Sequence, residues 1–248
     1  MTRCPRSPGL TQAPAVAVLL GTLWLAGCAS QAGPFNGGEE NPGDAYTQLG
    51  IAYLERGNLQ RAMSSLDRAL QMAPDDAEAL QAMAMVYQRQ GESELADETF
   101  RRALDADTDF TRARNNYAAF LYDRGRIREA CDQLEQATRD TQYANRAQLF
   151  ANLGQCQREL GDLDAARASL TRAQAIDPRS ARSYFTLAEL EHAQGNHARA
   201  RNQLEGFMRL AGTSPAALLL ARDIARAEGD QAAAAFYTEQ LDAANGAP

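Results

Sequence analysis

Glycines recur at Gly57, Gly91, Gly125, Gly161, Gly195 and Gly229, spaced by 34, 34, 36, 34 and 34 residues. Alanines at Ala62, Ala96, Ala130, Ala166, Ala200 and Ala234 keep the same spacing. Two residue types holding one period commit the chain from Gly43 onward to a stack of like units. One such unit cannot bury an apolar face alone, so its neighbours must supply the core. The apolar content, 45% of 248 residues and mostly Ala and Leu, suits close-packed helices better than a sheet.

The period and the residue types are those of the tetratricopeptide repeat. In the first unit Tyr46, Leu49, Gly50, Tyr53, Ala62, Leu66, Ala69 and Pro74 stand at its consensus positions. Gly50 and Ala62 are small because the two helices of one hairpin cross closely there. Gly57 ends the first helix, where a left-handed residue is cheapest as Gly. Leu66 and Ala69 face the next hairpin, and Pro74 stops the second helix. Unit four repeats the set with Phe150, Leu153, Gly154, Gly161, Ala166, Leu170, Ala173 and Pro178. Units two, three and five place Ala84, Ala118 and Ala188 at the close-contact site. Two extra residues fall around Arg139 to Ala144. The sixth unit, with Arg222 at the small site and no final Pro, is expected to cap the stack. The expected fold is therefore all-α, a right-handed superhelical solenoid of about six hairpins. The units run 43–76, 77–110, 111–146, 147–180, 181–214 and 215–248.

The N-terminal 27 residues carry a different pattern. Arg3 and Arg6 precede an apolar run from Ala13 to Ala26, too short for a membrane span and suited to a secretory signal. It ends Leu25-Ala26-Gly27-Cys28, the small-residue approach to a Cys that a lipoprotein signal peptidase requires. An ordinary signal peptide with a chance Cys is the alternative. Cys28 is the expected lipidation site, and its acyl chains would hold the protein to a membrane. Ala29 follows, not the Asp that commonly retains bacterial lipoproteins in the inner membrane. The expected location is thus the outer membrane, facing the periplasm. Residues 28–42, rich in Gly and Pro, are expected to form a tether.

Cys131, in the second helix of unit three, and Cys156, in the first helix of unit four, remain in the folded part. An oxidising periplasm permits a disulfide between them; two buried free thiols are the alternative. His192 and His197 flank Gly195 and are expected as exposed hairpin residues that do not converge on a metal. No Ser/His/Asp or Cys/His arrangement and no phosphate-binding Gly loop occurs, so no enzyme activity, cofactor or small-molecule substrate is expected. Acidic pairs such as Asp75-Asp76 sit where helices start and are expected to cap them. The net charge of -7, with every basic residue an Arg scattered among acids, argues against nucleic acid.

A protein partner is the remaining expectation. The first helix of each unit should line the concave face, presenting its second, fifth, sixth, ninth and twelfth residues. These include Thr47, Ile51 and Leu54, then Gln81, Met85 and Gln88, then Arg112, Asn115, Asn116, Ala119 and Tyr122. A groove of apolar anchors among amides can hold an extended or helical peptide. Ile51 and Leu54 could instead complete the core of the first hairpin. A clamp for a C-terminal carboxylate needs Lys and Asn where Thr47, Ile51, Ala82, Arg112 and Asn116 stand; only the last two suit it.

The sequence resembles the type IV pilus biogenesis/stability lipoproteins of the PilF/PilW type. The resemblance covers the lipidation motif, the tether and the array. It is carried by Tyr46 to Gly57, by Leu95 to Glu98 with Arg101 to Leu104, and above all by Asn115-Asn116-Tyr117-Ala118-Ala119-Phe120-Leu121-Tyr122. The Cys pair is also similar to that of some members. The resemblance implies a pilotin, an outer-membrane lipoprotein that helps secretin subunits localise and assemble into the pilus pore. Asn115, Asn116 and Tyr122 match its motif. An adaptor for barrel assembly or for cell-wall enzymes is the competing reading.

Overall fold

The computed structural model describes residues 42–245. The expected signal over 1–27, Cys28 and the tether up to residue 41 lie outside them. The described residues form twelve helices and no strand, paired as six hairpins: α1 (Pro42–Glu55) with α2 (Leu59–Met72), α3 (Ala77–Gln90) with α4 (Ser93–Ala106), and α5 (Thr111–Asp123) with α6 (Ile127–Ala137). The second half pairs α7 (Arg146–Glu159) with α8 (Leu163–Ile176), α9 (Ala181–Ala193) with α10 (His197–Ala211), and α11 (Pro215–Glu228) with α12 (Gln231–Asn245). Each hairpin packs on the next, giving an all-α solenoid of tetratricopeptide type.

Each hairpin closes the same way. Gly57, at φ 73°, lets its N–H bond Leu54 O (3.0 Å) while Asn58 N reaches Tyr53 O (2.9 Å), satisfying the last carbonyls of α1. Asn58 then caps α2 by accepting from Arg61 N. Between hairpins, Asp76 caps α3, accepting from Glu78 N (3.0 Å) and Ala79 N (3.2 Å), and its other oxygen accepts from Thr47 Oγ1 (2.7 Å). That last bond ties α1 to the start of α3.

Within a hairpin the small residue of the first helix faces the large one of the second. A Cβ built on Gly50 would stand 2.6 Å from Leu66 Cγ, and one on Gly154 would stand 2.6 Å from Leu170 Cγ. Leu66 thus covers Gly50 of its own hairpin while also joining Ala79 and Met83 of the next in one core. Ala84, Ala118 and Ala188 are fully buried at the equivalent places.

The largest core spans the second, third and fourth hairpins. Phe100, Tyr117 and Phe120 form an aromatic triad with centroids 5.4, 5.7 and 6.2 Å apart. At its rim Asp97 accepts from Tyr117 OH (2.8 Å) and pairs with Arg101 and Arg126, both at 2.6 Å. Burial pushes the Tyr117 phenol above its usual range. A buried carboxylate stitches the later hairpins: Glu191, 3% exposed, accepts from Arg167 Nε on α8 (2.7 Å) and Asn196 Nδ2 (2.8 Å).

The period breaks at the third junction. Helix α6 has 11 residues where α2, α4 and α8 have 14. Thr138 Oγ1 turns back to Glu135 O (2.8 Å), and Asp140 accepts from Thr111 Oγ1 (2.7 Å) and Gln142 N (2.9 Å), so polar side chains compete for the backbone. Backbone approach between α5 and α7 is sparser than between other successive first helices. Cys131 on α6 and Cys156 on α7 are joined here, with S–S 2.12 Å and Cα–Cα 5.6 Å.

The Thr111 hydroxyl, helped by the amide of Gln142, holds the Asp140 carboxyl below its ordinary 3.8. A group whose folded pKa is depressed contributes stability above its unfolded pKa and loses it as pH falls through the folded one. The junction should therefore weaken only in acid below about pH 4. Thr111→Val should bring the Asp140 pKa back up toward the ordinary value in an NMR titration. An unchanged midpoint would show that the hydroxyl is not the cause.

Candidate partner-binding groove

Helix periodicity puts positions two, five, six, nine and twelve of each first helix on one side. Between α5 and α7, where the two stand apart, those positions enclose a hollow of about 380 Å³. Asn115, Asn116, Ala119 and Tyr122 line it from α5, Gln148, Asn152 and Gln155 from α7, and Arg182 from α9. Four of the expected groove residues thus meet in one place.

Hydrogen bonds set the side chains. Asn152 Nδ2 donates to Asn115 Oδ1 (3.0 Å), Gln155 Nε2 donates to Tyr122 OH (3.1 Å), and Arg182 donates to Gln155 Oε1 (2.5 Å). Asn116 Nδ2 points to Met85 Sδ (3.5 Å), a weak acceptor to which Gln81 Nε2 also donates (2.7 Å). Nearer the N-terminus Arg112 pairs with Glu78, whose other oxygen accepts from Gln48 Nε2 (3.2 Å), and the Arg112 guanidinium lies over the Phe110 ring at 5.2 Å. The result is a chain of amide, phenol and guanidinium groups running from α1 to α9. Amides and guanidinium groups carry more donors and acceptors than these bonds use. Such a surface can exchange internal bonds for those of a peptide main chain and polar side chains.

Two expectations need correction. Leu54 is not a groove residue: it is 3% exposed inside the first core, with Leu59 packed against the same cluster. Ile51 leans on that core too, half-buried. The apolar anchors expected from the first unit are therefore mostly spent on the hairpin itself. Thr47 and Gln81 are likewise buried, each in a bond within the stack. The turn at Gly195 brings His192 and His197 side by side, with Nδ1 atoms 3.2 Å apart, and no third His, Cys, Asp or Glu joins them among the described residues.

Gln148, Asn152 and Gln155, outside the sequence expectations, stand at the second, sixth and ninth places of unit four, and Arg182 at the second of unit five. The offsets that found Asn115, Asn116 and Tyr122 would have found them.

Models of the tetratricopeptide repeat match residues 42–109, 81–144, 121–181 and 157–224. The type IV pilus assembly protein PilF of Pseudomonas aeruginosa is 33% identical over 237 residues, 92% of each chain. The solved structure of PilF from that organism superposes with a TM-score of 0.75 at 33% identity, covering 83% of this chain and 93% of that one. PilW, described as a widely conserved type IV pilus biogenesis factor, superposes at 0.73 with 28% identity, covering 81% and 92%. YrrB, a repeat protein with an unusual peptide-binding site, shares the fold at 22% identity and a TM-score of 0.60, covering 73% and 93%.

Proposed function

Since the chain belongs to the PilF family of tetratricopeptide-repeat proteins of type IV pilus biogenesis, we propose that it serves as a pilotin for the pilus secretin. In this reading Cys28 carries the lipid, the lipid sets the chain on the periplasmic side of the outer membrane, and the groove holds a secretin segment during assembly. The observation that carries the proposal is likeness to PilF along 92% of both chains. The hollow between α5 and α7, with Asn115, Asn116 and Tyr122 on its wall, supports the choice of surface. In this reading the protein acts as an adaptor whose groove groups bind a partner.

The test is recovery of the secretin from detergent-solubilised outer membranes with the lipidated protein as bait. Tyr122→Phe removes the phenol oxygen and keeps the ring that packs on the core; Asn116→Ala removes one amide. Each should lower secretin recovery about tenfold, equivalent to about 1.4 kcal/mol. Cys28→Ser should leave binding intact and remove the secretin from the outer membrane. Recovery of barrel-assembly or cell-wall proteins without secretin would favour the other adaptor reading and sink the pilotin.

A further inference from the structure

His192 is the penultimate residue of α9 and His197 the first of α10, so the fifth hairpin turn brings two imidazoles together. Their Nδ1 atoms are 3.2 Å apart and their ring centroids 5.1 Å apart, the planes inclined at 53°. They are the chain's only histidines. The repeat dictates this meeting. The equivalent pair in unit one is Leu54 with Leu59, both packed in one core, and in unit three it is Tyr122 with Ile127, both against another. In units one and three the fold gathers these two positions on one core, and unit five alone fills both with a metal-ligating ring.

We propose that His192 and His197 form a bidentate site for an imidazole-preferring divalent transition-metal ion, Cu²⁺, Ni²⁺ or Zn²⁺, completed by water. Two nitrogens bound at about 2.05 Å stand about 3.3 Å apart in a tetrahedral ion and about 2.9 Å apart in a right-angled one. The observed 3.2 Å lies between, so little rearrangement is needed. Binding needs both Nδ1 lone pairs, so each ring carries its proton on Nε2 in the loaded site.

The turn is held from both sides, which fixes the backbone that carries the two rings. Gly195 N bonds His192 O (3.0 Å), Asn196 N bonds Glu191 O (2.9 Å), and the Glu191 carboxylate is engaged by Arg167 and Asn196. Glu191 is therefore committed to its own partners and not free as a third ligand. No group of three His, Cys, Asp or Glu gathers among the described residues. Two protein ligands leave coordination places open to water, so the ion should exchange readily and follow the Irving–Williams order, Cu²⁺ above Ni²⁺. Nothing in this site depends on what the groove holds.

The experiment is titration of the untagged full chain in detergent, free thiols alkylated, with Cu²⁺ and Ni²⁺ by calorimetry and, for Cu²⁺, by electron paramagnetic resonance. One ion per chain and a spectrum with two imidazole nitrogens are expected. Either single substitution, His192→Gln or His197→Ser, leaves one ring and should weaken binding tenfold or more; the two together should abolish it. These replacements are the residues unit two carries at the same places, Gln88 and Ser93, so the hairpin tolerates them. Absence of saturable binding in the unaltered protein, or unchanged binding in the doubly substituted one, would overturn the proposal.

Discussion

Replacing Phe100 by Ala should be the most damaging single change in the stack, lowering the unfolding free energy by about 3–5 kcal/mol. The ring is fully buried, stacks on Tyr117 at 5.4 Å and meets Phe120 tilted at 5.7 Å. It lies in the core shared by α3 through α7, so the cavity would open where three hairpins meet. At the same place units one, three, four and five carry Leu66, Leu134, Leu170 and Leu204. Phe100→Leu should therefore cost far less, under about 2 kcal/mol. Urea unfolding measures both, and hydrogen exchange should place the loss in hairpins two and three, because repeat units are coupled mainly to their neighbours. A loss below about 1 kcal/mol for the Ala variant would mean the triad relaxes to fill the space.

Removing the Cys131–Cys156 bond should cost about 3 kcal/mol. The bond closes a loop of 25 residues that includes the irregular connector 138–145. Its main effect is on the unfolded chain, which loses freedom when the loop is closed. Thermal unfolding with and without reductant should show a clear drop in midpoint for the unaltered protein. The Cys131→Ser, Cys156→Ser double variant should start at the lower midpoint and ignore the reductant. Both sulfurs are buried, Cys156 fully, so reduction should be slow in the native state and fast once hairpins three and four open. A midpoint that reductant leaves alone in both proteins would show that packing carries this junction by itself.

The hairpins were legible because the residues that set them are local and repeated. A turn Gly, a small residue at the crossing and an apolar residue facing it define a register that nothing distant can move. Where local chemistry changed, the sequence misled. Two extra residues near Arg139 gave no hint that α6 ends at Ala137; that depends on Thr138 and Asp140 taking backbone partners, and on Thr111 reaching across from α5. Leu54 was misplaced because the twelfth residue of a first helix lies beside the turn. Tyr122 there reaches Gln155 across the groove, whereas Leu54 is buried in the core against which Leu59 also packs. The same place explains the histidines: nothing in their five-residue spacing says that the turn will lay one ring against the other. Half of the hollow went unnamed because its far wall belongs to units four and five.

The covalent bond between α6 and α7 also limits how far the protein can be drawn out. A stack of hairpins pulled from its ends lengthens as helices peel away, and a residue released to full extension contributes about 3.4 Å. The stretch between Cys131 and Cys156 cannot lengthen, so about 80 Å of contour stays locked while the bond holds. Under tension the chain would give way on either side of a knot of fixed length, and the walls lined by Cys131's and Cys156's helices would be the last to part.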